Sequence, residues 1–395
     1  MPWKQLLQPE IQAFMANHRA ADVRALGLKK PPVPGWPYPL ILDQIKGRQK
    51  ASIKIPDWLK HNSLILPAAD ILEQASSSAT ALYKASLVPG KIFADLTGGA
   101  GVDCFAFSQK FESGHCVEQD QNAASLLTHN AKILTQTPIQ VHHARAEDWV
   151  QKMPYVDLVF IDPQRRSSSR KGLYRLEDCA PDILALLPVL KTKAKKMMIK
   201  TSPMLDIQQS MNSLKQACAI HVLEWRGECK EVIYIIDFRE TSKSDNIPVT
   251  SITLDDEGRV LNHFTFTRAE ENTAHAELSA PLHYLYEPGP AFQKAGGFNS
   301  IAQKYGLKKL HPHTHLYTSE SPCSDFPGRS FEIIQILPVR REALSFDKAN
   351  LSIRNFPGDV ASLRKKLGLK DGGDDYVFAC TLEDETRVLI RCRKF

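Results

Sequence analysis

The chain has 395 residues, enough for two or three domains at about 150 residues each. It is 43% hydrophobic and 24% charged, and no apolar run approaches the roughly 18 residues of a membrane-spanning helix, so such a span is excluded. Fifty Lys and Arg against 44 Asp and Glu give a formal charge of +6, a mild lean toward polyanionic partners. The start, MPWKQLLQPEIQAF, lacks the basic and long apolar pattern of a secretory signal. The eight cysteines are scattered and form no Cys-x-x-Cys pair, so a zinc ribbon or redox pair is disfavoured and a cytoplasmic location is expected.

Residues 1–30 read as short helices, with Leu6, Ile11, Phe14, Met15, Val23 and Leu26 at near-helical spacing. The prolines of 29–39, KKPPVPGWPYP, argue against a regular helix there. A helix is expected from Ala68 to Ala85, with Pro89-Gly90 ending it. From Lys91 the pattern alternates: strand 92–96, Gly-rich turn, helix, strand 114–118, helix, then strands 139–144 and 156–162. A helix over CAPDILALLPVL, a strand at 195–200 and a further helix follow, then the strands IHVLEW and VIYIIDF. This alternation predicts a doubly wound parallel α/β sheet, and RGECKE is too short a connection for anything but an antiparallel final pair.

After about Glu240 a polar linker, a hairpin over ITLDDEGRVL, a loop and helix at 288–307 and the strand SFEIIQILPV are expected. From Leu351 the pattern reads strand, helix over VASLRKKLG, a DGGDD turn and a final hairpin. The expected division is a helical region at 1–66, an α/β domain at 67–240, an α+β unit of ferredoxin-like type at 241–340 and a small α+β domain at 341–395.

The sharpest motif is ADLTGGAGVD. A strand ends in Asp95, Gly98, Gly99 and Gly101 form a turn, and a helix begins. Glycines permit a tight loop and close approach of a ligand, and helix-start amides suit an anion. A nicotinamide loop wants Gly or Ala where Cys104 stands, so a dehydrogenase is disfavoured. Glu118, at the end of the next strand, is placed to accept from ribose hydroxyls. Ala146 and Glu147, after the third, are placed to face an adenine edge.

DLTGGAG, VEQD, RAED and FIDPQRR in this order resemble the motifs of class I S-adenosylmethionine-dependent methyltransferases across about residues 67–240. The resemblance implies a Rossmann-like seven-stranded sheet with its last strand antiparallel. It implies that Asp95, Thr97, Gly98, Gly99 and Gly101 hold the methionine end of S-adenosylmethionine, Glu118 the ribose, Ala146 and Glu147 the adenine, with Asp162 beside the cofactor. Further marks run along the chain: SSSATALYKA, DPQRRSSSRKGLYRLEDCAPDI, IKTSPMLDI, GECKE, YLYEPGPAFQKAGGF, KLHPHTHLYTS, DFPGR and RNFP. Together they resemble a bacterial family of inferred RNA methyltransferases with a THUMP-like C-terminal domain.

Amino-group methyltransferases often end the fourth strand in a D/N-P-P-Y/F motif. Here Asp162, Pro163 and Gln164 stand as the catalytic candidates, and Arg165 replaces the aromatic. An Arg plane stacks on a base or pairs with phosphate, and Tyr174 is the nearest downstream aromatic. Arg165, Arg166, Lys171, Tyr174 and Lys200 are the substrate candidates. Ser76, Ser77, Ser78 and Thr80 are weighed as helix packing against cofactor contact, and GECKE as a structural turn against substrate contact. His311, His313 and His315 would share one face of a strand, but without matching acids or thiols no metal is expected.

The expected function is S-adenosylmethionine-dependent methylation of a nucleobase nitrogen in rRNA or tRNA, with RNA as partner and no membrane. The rivals are a methyltransferase for DNA, protein or a small molecule, and a non-catalytic RNA-binding protein with a vestigial cofactor fold. The sequence sets no oligomeric state.

Overall fold

Short runs of apolar residues, buried on both faces, make the centre of the first half of the chain. Val156–Ile161 buries five of its six residues and Ala194–Thr201 six of its eight, the signature of a parallel sheet covered by helices on both sides. The structure, a computed structural model, describes residues 2–165, 175–240 and 246–395. It divides into two compact units. The first is Met1–Arg226 with Lys230–Ser244 and Leu254–Leu261; the second is Gly227–Cys229, Asp245–Thr253 and Asn262–Phe395.

In the first unit seven strands follow in the order Ala217–Trp225, Glu228–Asp237, Ala194–Thr201, Val156–Ile161, Ile92–Asp95, Ser113–Glu118, Ile139–His143. The last five pair in parallel, and Glu228–Asp237 runs antiparallel against Ala194–Thr201. Arg226 and Gly227, both at positive φ, form the tight turn between the first two. Of GECKE, Gly227 alone lies in this turn; Glu228–Glu231 already belong to the strand.

The N-terminal helices gather around their own apolar cluster of Leu6, Ile11, Met15, Leu26, Tyr38, Ile41, Ile45 and Ile65. The helix Tyr38–Lys54 starts inside the proline-rich stretch, correcting the sequence expectation. Pro39 sits in its first turn, where the missing N–H has no helical partner to lose. The single helix expected over 68–85 is two, Ala69–Gln74 and Ser78–Leu87. Ser77 caps the second through the Thr80 N–H at 3.1 Å. Lys54 Nζ closes the end of the first, donating to the carbonyls of Leu72 (3.2 Å), Glu73 and Ala75 (2.9 Å).

Val249–Leu254 and Val260–Phe266, most of whose residues belong to the second unit, are neighbouring strands. A seven-stranded sheet follows, in the order Lys308–Lys309, Tyr317–Ser319, Tyr284–Pro288, Gly328–Pro338, Arg387–Lys394, Lys370–Thr381, Lys348–Arg354. The last two are parallel and joined through the helix Val360–Leu367. Leu285, Phe331, Phe378 and Ile390 belong to one core cluster, while Leu351, Leu363, Leu367 and Leu389 belong to another with that helix. The DGGDD turn is not a turn. It lies inside the strand Lys370–Thr381, where Gly372 and Gly373 at φ 89° and 88° absorb a register shift against the neighbouring strand. The histidines of HPHTH likewise do not share a strand face. They occupy the turn between Lys308–Lys309 and Tyr317–Ser319, with His311 buried and His315 stacked on Phe298 at 3.6 Å.

Candidate active site

The glycine loop joins the strand Ile92–Asp95 to the helix Val102–Phe107 at the carboxyl edge of the parallel sheet, where open α/β sheets bind ligands. Gly101 has φ 85°, and a Cβ on it would lie 2.6 Å from Leu127. On Gly98 a Cβ would lie 2.8 Å from the Cys116 sulfur. Only glycine fits both positions. At Gly99, with φ 50°, such a Cβ would meet only the Thr97 carbonyl, at an ordinary contact distance of 3.7 Å.

Side chains brace the loop from three strands. Thr97 donates to Asp95 Oδ1 from its N–H (2.9 Å) and its hydroxyl (3.3 Å), and its hydroxyl accepts from the Asp162 N–H at 2.8 Å. Glu118 accepts from the Gly99 N–H at 2.9 Å and the Asp120 N–H at 2.8 Å, which fixes its carboxylate beside the loop. Ala146 is the first residue of the helix Ala146–Lys152 and is buried; the half-buried Glu147 lies 3.5 Å from Arg145. Asp95, Glu118 and Asp162 thus come together around the loop.

Behind them lies a buried charge network that the sequence reading missed. Lys84, with no exposed surface, pairs with Asp103 at 2.8 Å and with Glu231, and donates to Ser76 at 2.8 Å. Lys200 pairs with Asp162 at 2.6 Å, approaches Asp103 at 3.7 Å and donates to Ser76 at 3.2 Å. The Ser76 hydroxyl donates in turn to Asp103 at 2.8 Å, and Thr80 donates to Glu231 at 2.7 Å. Burial pushes the Asp103 carboxyl up, but Lys84 and Lys200 outweigh it and hold it below the ordinary carboxylate range. Burial also opposes the Lys200 charge, yet Asp162, Asp103 and Glu231 keep its ammonium more basic than usual. Asp162 is pushed up by burial, with Lys200 working against the rise.

Lys200 is therefore not an exposed hand for substrate; its ammonium faces Asp162 from inside. Of Lys84, Asp103 and Glu231, Lys84 alone carried a signal: it follows Thr80 by four residues on the Ala-rich helix Ser78–Leu87, two polar residues on one apolar face.

Asp95 is 1% exposed, and among the described residues no cation pairs with it. Burial pushes its carboxyl up to about 7. A buried carboxylate lacking a cation, a glycine turn and the oriented Glu118 form an acceptor set suited to a ligand with an ammonium at one end and a ribose diol at the other. That fits S-adenosylmethionine. Beneath the loop Asp95, Cys104 and Cys116 have ligand atoms within 4.8 Å of one another. The hydrogen bond that the Cys116 thiol donates to Cys104, together with burial, holds Cys116 well above its ordinary pKa.

Pro163 is buried and Gln164 exposed. Gln164–Arg165 pairs antiparallel with Cys179–Ala180. The Arg165 side chain and all of Arg166, Lys171 and Tyr174 lie outside the described residues.

Comparison with known proteins gives three family matches. Residues 67–215 match the family described as Conserved hypothetical protein 95, residues 284–327 a ferredoxin-like domain and residues 328–394 a THUMP domain-like family. No curated protein sequence matches the chain. A solved structure described as a "putative methyltransferase" from Porphyromonas gingivalis W83 is 29% identical and covers 99% of this chain and 98% of its own, with a TM-score of 0.88. A conserved hypothetical protein from Streptococcus pyogenes is 15% identical over 38% of this chain and 86% of its own, at TM-score 0.28. M. capricolum TrmK bound to S-adenosyl-homocysteine is 13% identical over 43% and 71%, at 0.32. Of these three, the first spans the chain almost end to end. The chain therefore has a class I methyltransferase fold followed by ferredoxin-like and THUMP-like domains, the arrangement that its motifs resemble.

Proposed function

We propose that the protein methylates a nucleobase nitrogen in RNA, using S-adenosylmethionine. The observation that carries this reading is the position of Asp162. Its backbone is tied to the glycine loop through Thr97, and its carboxylate is held at 2.6 Å by the buried Lys200. A carboxylate so fixed accepts a hydrogen bond from the attacking amine and aims its lone pair, the positioning and proton management that methyl transfer needs. Lys200 orients Asp162 and balances its charge. Pro163 stiffens the chain past the acceptor.

Asp95 with Thr97 and the loop glycines would hold the methionine end of the cofactor, Glu118 the ribose, and Ala146 with Glu147 the adenine side. The cofactor, when bound, supplies an electrophilic methyl group. RNA is favoured over other acceptors by the THUMP-like match at residues 328–394 and the net positive charge. Arg165, Arg166, Lys171 and Tyr174, next to Asp162 in sequence, are proposed to hold substrate phosphate or base.

The reading is tested by incubating the protein with tritiated S-adenosylmethionine and separate pools of RNA, DNA and protein from cells lacking it. Label in an RNA size class supports the proposal. Label confined to DNA or protein, or none in any pool, overturns the RNA substrate.

A further inference from the structure

The HPHTH turn has no part in the site above, yet it lines a cavity of about 730 Å³ in the second unit. The cavity lies beyond the carboxyl ends of the parallel strands Lys348–Arg354 and Lys370–Thr381, marked by Asn355 and Thr381. Ligands gather at such strand ends, and the volume is that of an ordinary small-molecule site. Asn355 and Glu385, both in its lining, have φ of 48° and 63°. Left-handed angles are uncommon without glycine, and strained residues concentrate where a ligand is held.

The floor is locked before any ligand arrives. Thr314 donates to the Thr381 carbonyl at 2.6 Å, and the Thr381 hydroxyl donates to the Asn355 carbonyl. His311 is buried, and its Nδ1 lies 3.0 Å from both the His313 N–H and the Asn355 side-chain amide. With Nδ1 accepting, the proton sits on Nε2, which points at Glu385 at 3.2 Å. Glu385 is 78% exposed, a partner an incoming anion displaces readily. His313 and Arg387 are exposed on the lining, and Arg387 makes no ion pair among the described residues. Phe356 and Pro357 add an apolar wall. Nearby, His315 is pushed down to about 4, chiefly by burial.

We propose that this pocket binds a nucleoside phosphate, its phosphate taken by Arg387, His313 and the His311 Nε2–H, its base lying on Phe356. The inference is independent of the methyltransferase reading.

Calorimetry on the full chain tests it, with adenosine 5′-monophosphate, adenosine and inorganic phosphate as probes and S-adenosylhomocysteine present to fill the glycine-loop site. The monophosphate is expected to bind and adenosine to bind much more weakly. Arg387→Gln and His313→Asn, both at exposed positions and checked by unchanged melting, should each weaken the monophosphate by about tenfold or more, the worth of a charge-assisted contact. Competition by an RNA oligonucleotide with a 5′-phosphate, against the same strand without it, tells whether the source is a strand end or a free nucleotide. No binding at millimolar monophosphate, equal binding of adenosine, or unchanged affinity in both variants overturns the proposal.

Discussion

Replacing Lys84 by Met removes the cation at the centre of the buried network while nearly keeping its volume. Lys84 is fully buried and faces Asp103 at 2.8 Å, Glu231, and the Ser76 hydroxyl. Without it Asp103 retains Lys200 at 3.7 Å and Ser76, but Glu231 retains, of the network's groups, a hydrogen bond from Thr80 alone and the longer-range charge of Lys200. Breaking one side of a buried pair costs about 3–5 kcal/mol, because the other charge stays buried and uncompensated. For a domain of this size each kcal/mol lowers Tm by about 2–4 °C, so a fall of roughly 6–20 °C is expected. Denaturant unfolding of Lys84→Met, followed by circular dichroism, measures the loss. The double variant Lys84→Met with Glu231→Gln should lose less than the sum of the single losses, because the neutral amide no longer needs the cation. The exposed pair Lys50–Glu73 serves as the contrast, since breaking it should leave Tm almost unchanged. A loss below about 1 kcal/mol for Lys84→Met would refute the argument that this network is held by charge.

Other variants separate binding from chemistry. Asp162→Asn should lower methyl transfer about 10²-fold or more while changing the dissociation constant of S-adenosylhomocysteine by only a few fold, read by single-turnover assay and calorimetry. Because burial pushes Asp95 up to about 7, and only its ionised form attracts an ammonium, cofactor affinity should rise with pH up to about 7 and level off above it; Asp95→Asn should flatten that profile. The sign for folding is opposite: this carboxyl holds its proton in the folded state where an unfolded one has released it, so its contribution to stability falls from about pH 3.8 to about pH 7. Gly101→Ala places a methyl group 2.6 Å from Leu127 at a φ of 85°, and both Tm and cofactor affinity should drop. Lys54→Met removes the donor that closes the helix Ala69–Gln74 just ahead of Ser76, and turnover should fall more than cofactor affinity.

Much of the sheet was legible because parallel strands are nearly continuous apolar runs punctuated by helices. The glycine loop was legible because tight φ angles admit so few residue types. The two failures in the second half have local causes. DGGDD carries turn residues, but its glycines are used for a register shift within one long strand. HPHTH alternates as a strand would, but its prolyl turn directs the rings to different surroundings. Asp103 and Glu231 were hidden for another reason. They lie far from Lys84 in the chain, each looks like a solvated charge taken singly, and only the fold brings them within contact of it.

The proposed reaction is met most directly by mass spectrometry of nucleosides from RNA treated with the protein and S-adenosylmethionine. The account predicts a base-nitrogen-methylated nucleoside that appears with the wild-type chain and is absent with Asp162→Asn. A methyl group on ribose or on a base carbon, or equal product from Asp162→Asn, would contradict it.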